Sequence, residues 1–290
     1  MKLIRKYRVK FFSLLNRFVI FKNYTISYYF SRFGNNLQQI AIGILYANKV
    51  GGNFYLPNHS YVSRFSVINN PISNYFLFAK KYYRFFYFHK KKDFPMQNMN
   101  HKYVERNIEE IFKINISKNI SFLKDMTFDQ ETLVFHIRSG DIFTLPIKSY
   151  YQNPINFYIE LLDKFPKVLI VTSEEMNNPV ISELKKYDNV QLQSTSLEND
   201  FNTIYNATNL ATSGVGTFPI AAALMSTKLK NFYYTNLFLK EHLNPNMLNN
   251  PIVKHHKYKI DENYMKEYEK ANSIGSVILD KSFQVKKLDN

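Results

Sequence analysis

Residues 132–141 read TLVFHIRSGD, an apolar run that changes abruptly into a polar loop. The run TLVFHI has the length and the β-branched and aromatic content of a buried strand. His136, Arg138 and Asp141 lie at or just beyond its end, and Gly140 lets the chain turn tightly among them. Loops that follow buried strands often carry function, because a rigid scaffold positions them. HIRSGD is therefore the first candidate site.

The sequence after this motif alternates between helical and strand-like periods. Helical spacing occurs in INFYIELLDKF, NPVISELKKY and FPIAAALMS, and strand-like runs are KVLIVTS and VQLQS. This βαβαβα order predicts a parallel sheet whose ligand crevice lies at the carboxyl ends of the strands. The loops expected there are HIRSGDIF, TSEEMNN and the ATSGVGT turn.

A similar unit is predicted near the amino end. In FGNNLQQIAIGILYANKVGGNFYLP, apolar residues recur with helical spacing from Leu37 to Ala47, Gly51 and Gly52 end the helix, and a short strand follows. We therefore predict an α/β fold with two Rossmann-like domains. The expected boundaries are 1–125, 126–245 and a helical extension over 246–290.

Composition and charge narrow the classes of partner. The 290 residues suffice for two α/β domains, and the absence of cysteine excludes disulfides and a cysteine nucleophile and fits a reducing, cytoplasmic setting. The 38 Lys and Arg exceed the 23 Asp and Glu, which favours anionic partners. Residues 1–22 interleave basic and apolar side chains but are too interrupted to span a bilayer. They predict contact with an anionic membrane surface or, alternatively, a basic element packed on the domain.

Other sites are weaker candidates. The segment FLFAKKYYRFFYFHKKK carries no recognised nucleic-acid motif, so we expect no nucleic-acid partner. His255 and His256 are adjacent and do not converge on a metal, and no Asp-x-Asp element is present, so no metal site is predicted. Tyr150, Tyr151 and Gln152 either border an acceptor cleft or belong to the core.

The chemistry of HIRSGD leaves two interpretations open. The planar guanidinium of Arg138 can grip a diphosphate, and His136 can hydrogen-bond a phosphate or hydroxyl. Alternatively, Arg138 and Asp141 form an ion pair that only holds the loop.

The motif HIRSGD resembles the His-x-Arg-Arg-Gly-Asp signature of the fucosyltransferase superfamily. GNNLQQIAIGILYA is similar to the Gly-Asn-Gln-Met-Phe-Gln-Tyr-Ala segment of its bacterial alpha-1,2 branch. VTSEEMNNP resembles its Ser-Asp-Asp loop, and TSGVGTFPIAAALM resembles its Asn-Ser-Thr-Phe-Ser-Trp-Trp-Ala-Ala stretch. The resemblance implies a GT-B glycosyltransferase with the donor cleft between its two domains. It further implies metal-independent, inverting transfer from GDP-fucose to a glycan acceptor, with no cofactor.

The resemblance also implies roles for individual residues. Arg138 would bind the diphosphate, and His136 would orient the donor. From the sequence itself, Asp141, Glu174 and Glu175 are the candidate general bases. The remaining implied substrate-binding residues are Gly34, Asn35, Asn36 and Gln38 in the first domain and Gly140, Ser173, Glu174, Ser213, Gly214, Gly216, Thr217 and Phe218 in the second.

Four positions depart from the family pattern. Ser139 replaces a second Arg, Asn36 replaces a Gln, and Thr217 and Phe218 replace paired Trp residues. In the family these positions belong to the donor pocket. Because they differ here, another nucleotide sugar is an alternative donor. A non-catalytic membrane or polyanion binder is the alternative from a different class.

Overall fold

The computed structural model describes residues 22–29, 31–85, 99–143 and 150–288. The chain divides into two compact units, Met1–Ser121 and Phe122–Asn290. Apart from Lys22, the basic segment over 1–22 lies outside the described residues. No helix among the described residues is both long enough and apolar enough to cross a membrane.

The first unit contains a four-stranded sheet in the order β3-β2-β1-β4, in which β1 runs parallel to β2 and β4, and β3 is antiparallel to β2. Its strands are β1 (Asn23–Ile26), β2 (Asn53–Tyr55), β3 (Ser66–Val67) and β4 (Lys80–Tyr83). Its helices are α1 (Phe33–Lys49), α2 (Pro71–Asn74) and α3 (His101–Ile111), and α3 continues into a π-helical turn at Phe112–Ile116.

The helix α1 and the strand β2 occur where the sequence predicts them, and α1 connects β2 to the parallel strand β1. Its apolar face, including Leu37, Ile40 and Ile44, is fully buried. A Cβ atom on Gly43 would lie 2.4 Å from the ring of Phe54 in β2, so glycine allows the helix to approach the sheet closely. The β1-α1-β2 unit is therefore held by tight contact between helix and sheet.

The second unit contains a seven-stranded sheet in the order β7-β6-β5-β8-β9-β10-β11, parallel except for β11. Its strands are β5 (Thr132–His136), β6 (Lys167–Val171), β7 (Val190–Gln193), β8 (Asn209–Thr212), β9 (Asn231–Thr235), β10 (Lys254–Ile260) and β11 (Val285–Lys287). The first six strands in chain order follow the doubly wound pattern 3-2-1-4-5-6. The α/β class is thus confirmed, with two largely parallel sheets.

Helices cover both faces of this sheet. They are α4 (Ile155–Leu162), α5 (Pro179–Leu184), α6 (Leu197–Tyr205), α7 (Thr217–Met225), α8 (Glu262–Lys270) and α9 (Ile274–Leu279). One face packs with α4, α5, α8 and α9 around a core that includes Phe135, Phe157 and Tyr264. The helix α6 packs on β5 and β6 and also contacts α7.

The structure adds elements that the sequence analysis does not predict. The helix α6 and the strand β8 lie between the VQLQS strand and the FPIAAALMS helix. The stretch 246–290, predicted as a helical extension, contributes β10 and β11 to the sheet as well as α8 and α9. The run KHHKYKI lacks a clear apolar pattern but forms the strand β10, because it pairs in parallel with β9 and is partly buried against it.

Candidate functional site

The topological switch point of the second sheet lies between β5 and β8. From β5 the chain proceeds outward to β6 and β7, whereas β8 leads to β9 and β10 on the other side. Ligands of doubly wound sheets bind where the loops diverge at such a point. The two loops that meet here are 137–141 and 213–216, and the backbone N–H of Arg138 donates to the hydroxyl of Ser213 at 3.1 Å. Two motifs far apart in sequence thus come together.

Arg138 lies at the centre of this edge. Its Nη2 donates to Asp141 Oδ1 at 3.2 Å, and its guanidinium carbon lies 4.9 Å from the centre of the Tyr150 ring. The Arg138 side chain is 19% exposed and the Asp141 side chain 32% exposed, so solvent reaches the ion pair. Its other guanidinium nitrogens have no acceptor among the described residues. The predicted ion pair is therefore present, but it uses only some of the five N–H donors of the Arg138 guanidinium.

Two adjacent asparagines fix the backbone of the motif. Asn178 donates its side-chain amide to the carbonyl oxygen of Arg138 at 2.9 Å. Asn177 accepts from the N–H of Gly140 at 2.6 Å and donates to the carbonyl oxygen of Gly140 at 3.3 Å. Gly140 has φ +81°, a left-handed conformation that favours glycine. The loop is therefore held before any ligand binds.

Ser139 is a structural member of the loop. It is buried, and its hydroxyl accepts from Thr172 Oγ1 at 3.1 Å and from the backbone N–H of Asn178 at 3.4 Å. Because the side chain is engaged inside the fold, this position supplies no charge to a ligand. Ser139 therefore contributes to the packing of the loop.

His136 ends β5 on the sheet face opposite to Phe135, and its ring lies 5.7 Å from that of Phe218 in α7. Burial, with a smaller contribution from the charge of Arg138, lowers the pKa of His136 to about 3. Its Nδ1 is buried and has no hydrogen-bond partner among the described residues. A buried polar atom without a partner costs about 1–3 kcal/mol, so in native proteins such an atom usually binds another protein group, a water molecule or an ion.

The loop after β8 combines strained backbone with an uncapped helix. Gly214 has φ +107°, and a Cβ atom there would lie 2.5 Å from the carbonyl oxygen of Tyr151. No side chain caps α7, which begins after Gly216. The N–H of Val215 donates to Tyr151, whereas those of Gly214 and Gly216 have no acceptor in the described part of the chain. Glycine amides and a helix amino end favour anions.

The segment 150–153 crosses this loop and is braced from both sides. Asn153 donates to the carbonyl oxygen of Thr212 at 2.7 Å and accepts from Thr235 Oγ1 at 2.7 Å. Tyr264 and Tyr268 of α8 donate to the carbonyl oxygens of Gln152 and Tyr150 at 2.5 and 3.0 Å. Gln152 is fully buried, as the core alternative predicts, whereas Tyr150 contacts Arg138.

His242 belongs to the same cluster, although the sequence analysis does not single it out. Its ring lies 5.8 Å from that of Tyr150 in an edge-to-face arrangement. Burial, followed by the charge of Arg138, lowers the pKa of His242 to about 4. The run NFYYT at 231–235 has strand composition, and recognising it as β9 would have brought the following loop to this edge.

The loop after β6 supplies the other predicted residues of this unit. The Ser173 hydroxyl is buried and has no partner among the described residues. Glu174 and Glu175 are exposed. A Cβ atom on Gly140 would lie 3.1 Å from the Glu175 carboxylate, so this carboxylate lies over the HIRSGD loop.

The remaining predicted residues lie in the first unit, in the first turn and a half of α1. Gly34, Asn36 and Gln38 are buried, and Asn35 is half-buried. His59, which the sequence analysis omits, accepts from the backbone N–H of Tyr61 through Nδ1 at 3.1 Å. In the neutral ring Nε2 therefore carries the proton and donates to Asn36 Oδ1 at 3.2 Å. Burial lowers the pKa of His59, which favours this neutral form.

Within the described ranges, no three His, Asp or Glu side chains are grouped so that they could hold a metal ion. Comparison of the chain with protein-family models, curated proteins and solved structures finds no match in any of the three. Function is therefore inferred from the geometry of the site and from the motif resemblance.

Proposed function

We propose that the protein is a glycosyltransferase that binds the diphosphate of a nucleotide-sugar donor at the switch point of its second unit. In this proposal the molecule is a GT-B enzyme, with the donor cleft between the two units and with Gly34, Asn35, Asn36 and Gln38 facing the donor from the first. GDP-fucose is the leading donor and a glycan the acceptor. The transfer would serve the synthesis of surface polysaccharide or lipopolysaccharide. The enzyme would act in the cytoplasm, at the inner face of the cell membrane.

The observation that carries the proposal is the convergence of three anion-binding features on one edge. These are the Arg138 guanidinium, the buried Nδ1 of His136, which has no hydrogen-bond partner among the described residues, and the glycine-rich start of α7, which no side chain caps. An ion pair that served only to hold the loop would need neither the histidine nor the helix terminus. A diphosphate would use all three, since Arg binds phosphate bidentately and helix amides favour negative charge.

The same groups fit the chemistry of an inverting transfer. The acceptor hydroxyl attacks the anomeric carbon, the bond from that carbon to the diphosphate oxygen breaks, and the diphosphate leaves with the electron pair. Arg138 and the amides at the start of α7 stabilise this departing charge. The acceptor proton passes to a carboxylate, for which Asp141, Glu174 and Glu175 are the candidates; Asp141 Oδ1 lies 3.2 Å from Arg138 Nη2.

The choice of donor rests on the resemblance alone. Because Ser139 is buried and uncharged, Arg138 faces the diphosphate without the second arginine of the family pattern. Phe218 packs against His136 and against Phe201 of α6, where the family has tryptophan. A transferase of the same fold with another nucleotide sugar is thus the second candidate.

A panel of nucleotides tests both candidates. GDP, UDP and CMP are added to the protein, and the shift in melting temperature is measured for each, because ligand binding to the native state stabilises it. Stabilisation by GDP favours GDP-fucose, whereas stabilisation by UDP or CMP favours the second candidate. Indifference to all three would exclude a nucleotide-sugar transferase and favour a non-catalytic binder. Arg138→Ala should lose this stabilisation, and Arg106→Ala, on the exposed face of α3, is its matched control.

A further inference from the structure

The net positive charge of the chain comes entirely from its first third. Residues 1–92 hold 16 of the 38 Lys and Arg and none of the 23 Asp and Glu. The remaining 198 residues hold 22 basic against 23 acidic residues and are close to neutral. Such asymmetry between the two parts of a chain indicates an anionic partner for the basic part.

The first unit also exposes a group of large apolar side chains close together in sequence. We call this group the apolar patch; its members and exposed fractions are Ile68 (40%), Ile72 (66%), Tyr75 (86%), Leu77 (49%), Phe78 (62%) and Tyr82 (66%). Single exposed apolar residues are ordinary, but six of them between residues 68 and 82 indicate an interaction surface.

The backbone beneath the patch is firmly held. The buried amide of Asn53 donates to the carbonyl oxygen of Asn70 at 2.9 Å, and Asn23 donates to that of Ser73 at 2.8 Å. Asn70 in turn caps α2 by accepting from the N–H of Ser73 at 3.0 Å. Because buried hydrogen bonds fix this segment, its apolar side chains are displayed from an ordered platform.

We propose that the apolar patch docks onto an anionic lipid surface. Lys80 lies two positions before Tyr82 in β4 and therefore on the same face of the strand, and no acidic residue occurs anywhere in residues 1–92. Apolar and aromatic side chains enter the boundary between headgroups and acyl chains, while lysines pair with anionic headgroups. A second copy of this chain would bring like charge against like charge. This inference does not depend on the proposed enzymatic function.

The test is sedimentation of the full-length protein with vesicles of phosphatidylcholine alone or with 30% phosphatidylglycerol, at low and high salt. Ile72→Ser, Tyr75→Ser and Leu77→Ser are combined in one variant. All three side chains are exposed, so the melting temperature should stay unchanged. We expect salt-sensitive binding to the anionic vesicles and at least about tenfold weaker partitioning of the variant, since one buried large apolar side chain accounts for about tenfold.

The matched control combines Tyr187→Ser and Ile252→Ser, which replace exposed apolar residues of the second unit and should leave binding unchanged. Unchanged partitioning of the triple variant would overturn the proposal, as would equal binding to both vesicle types. Binding of heparin or single-stranded DNA that is lost in the triple variant would assign the patch to a soluble polyanion instead. A dimer in light scattering that is lost in the triple variant would assign it to self-association.

Discussion

The side-chain amide of Asn178 donates a 2.9 Å hydrogen bond to the carbonyl oxygen of Arg138. This bond fixes the backbone of the residue that we propose as the main diphosphate ligand. The Oδ1 atom of the same Asn178 side chain accepts from the N–H of Val180 and so caps α5. One fully buried amide therefore positions Arg138 and begins the next helix.

Replacing Asn178 should affect both stability and nucleotide binding. Asn178→Ala removes a helix cap and leaves the carbonyl oxygen of Arg138 without its donor, which together cost about 2–3 kcal/mol of unfolding free energy. We expect nucleotide affinity to fall as well, because the Arg138 loop loses its support. Asn100→Ala removes the cap of α3 in the first unit and is the control. If both variants bind nucleotide equally well, Asn178 serves stability alone.

Arg138→Ala should lower kcat/KM by a factor equivalent to about 2–5 kcal/mol, as expected when one partner of a charged hydrogen bond is removed. The melting temperature should change little, because the ion pair with Asp141 is partly exposed to solvent and contributes little to stability. Arg138→Lys should recover only part of the affinity, since a point charge cannot replace the planar fork. A strong fall in melting temperature with unchanged nucleotide affinity would show that Arg138 only ties down Asp141.

Gly214→Ala should destabilise the protein and weaken nucleotide binding. At φ +107° its Cβ atom would lie 2.5 Å from the carbonyl oxygen of Tyr151, so the loop after β8 must shift. We expect a loss of about 2–4 kcal/mol, measured by urea unfolding. Gly51→Ala is the control, because Gly51 also has a positive φ but no atom lies within 4 Å of its Cβ position. It should cost only about 1 kcal/mol, and equal losses for the two variants would contradict the steric argument.

The pKa of His136, lowered to about 3, predicts a dependence of stability on pH. The unfolded chain binds a proton near pH 6.5, whereas the folded histidine stays neutral until about pH 3. The free energy of unfolding is therefore not reduced by this histidine above pH 6.5, and it falls as the pH is lowered from 6.5 towards 3. The slope is up to about 1.4 kcal/mol per pH unit. His136→Gln should flatten the dependence in urea unfolding between pH 7 and 4, and an unchanged slope would contradict burial of the neutral ring.

Removal of divalent metal should leave activity intact. Arg138 and the amides at the start of α7 are proposed to supply the positive charge that a metal would otherwise bring to the diphosphate. Turnover is measured after dialysis against EDTA, with and without added magnesium or manganese. Loss of turnover that either metal restores would reveal ligands that this proposal omits.

Much of the second unit follows from local pattern. TLVFHI and KVLIVTS are strands because apolar runs of this length are stable only when both faces are buried, and FPIAAALMS is a helix. The strand β8 escapes prediction because NLAT is short and ordinary in composition, so it becomes a strand only through pairing with β5 and β9. Without β8 the position of the switch point cannot be derived.

The candidate site shows the same division. Arg138 and His136 stand out in sequence because they follow a buried strand beside a turn-forming glycine. His242 does not stand out, since only the return of the chain through β9 brings it beside Tyr150. Asn177 and Asn178 look like an ordinary polar loop until their amides are seen to bind Gly140 and Arg138.

The sequence by itself determined the α/β class, the β5 motif and the expectation that polar loops gather at the carboxyl ends of strands. These follow from side-chain periodicity, which is a local property of the chain. Only the tertiary structure decided the strand order, the meeting of the Arg138 and Ser213 loops, and the bracing of segment 150–153 by Tyr264 and Tyr268. Such contacts join residues 75 to 118 positions apart, and their partners are chosen by packing and by satisfaction of buried polar groups.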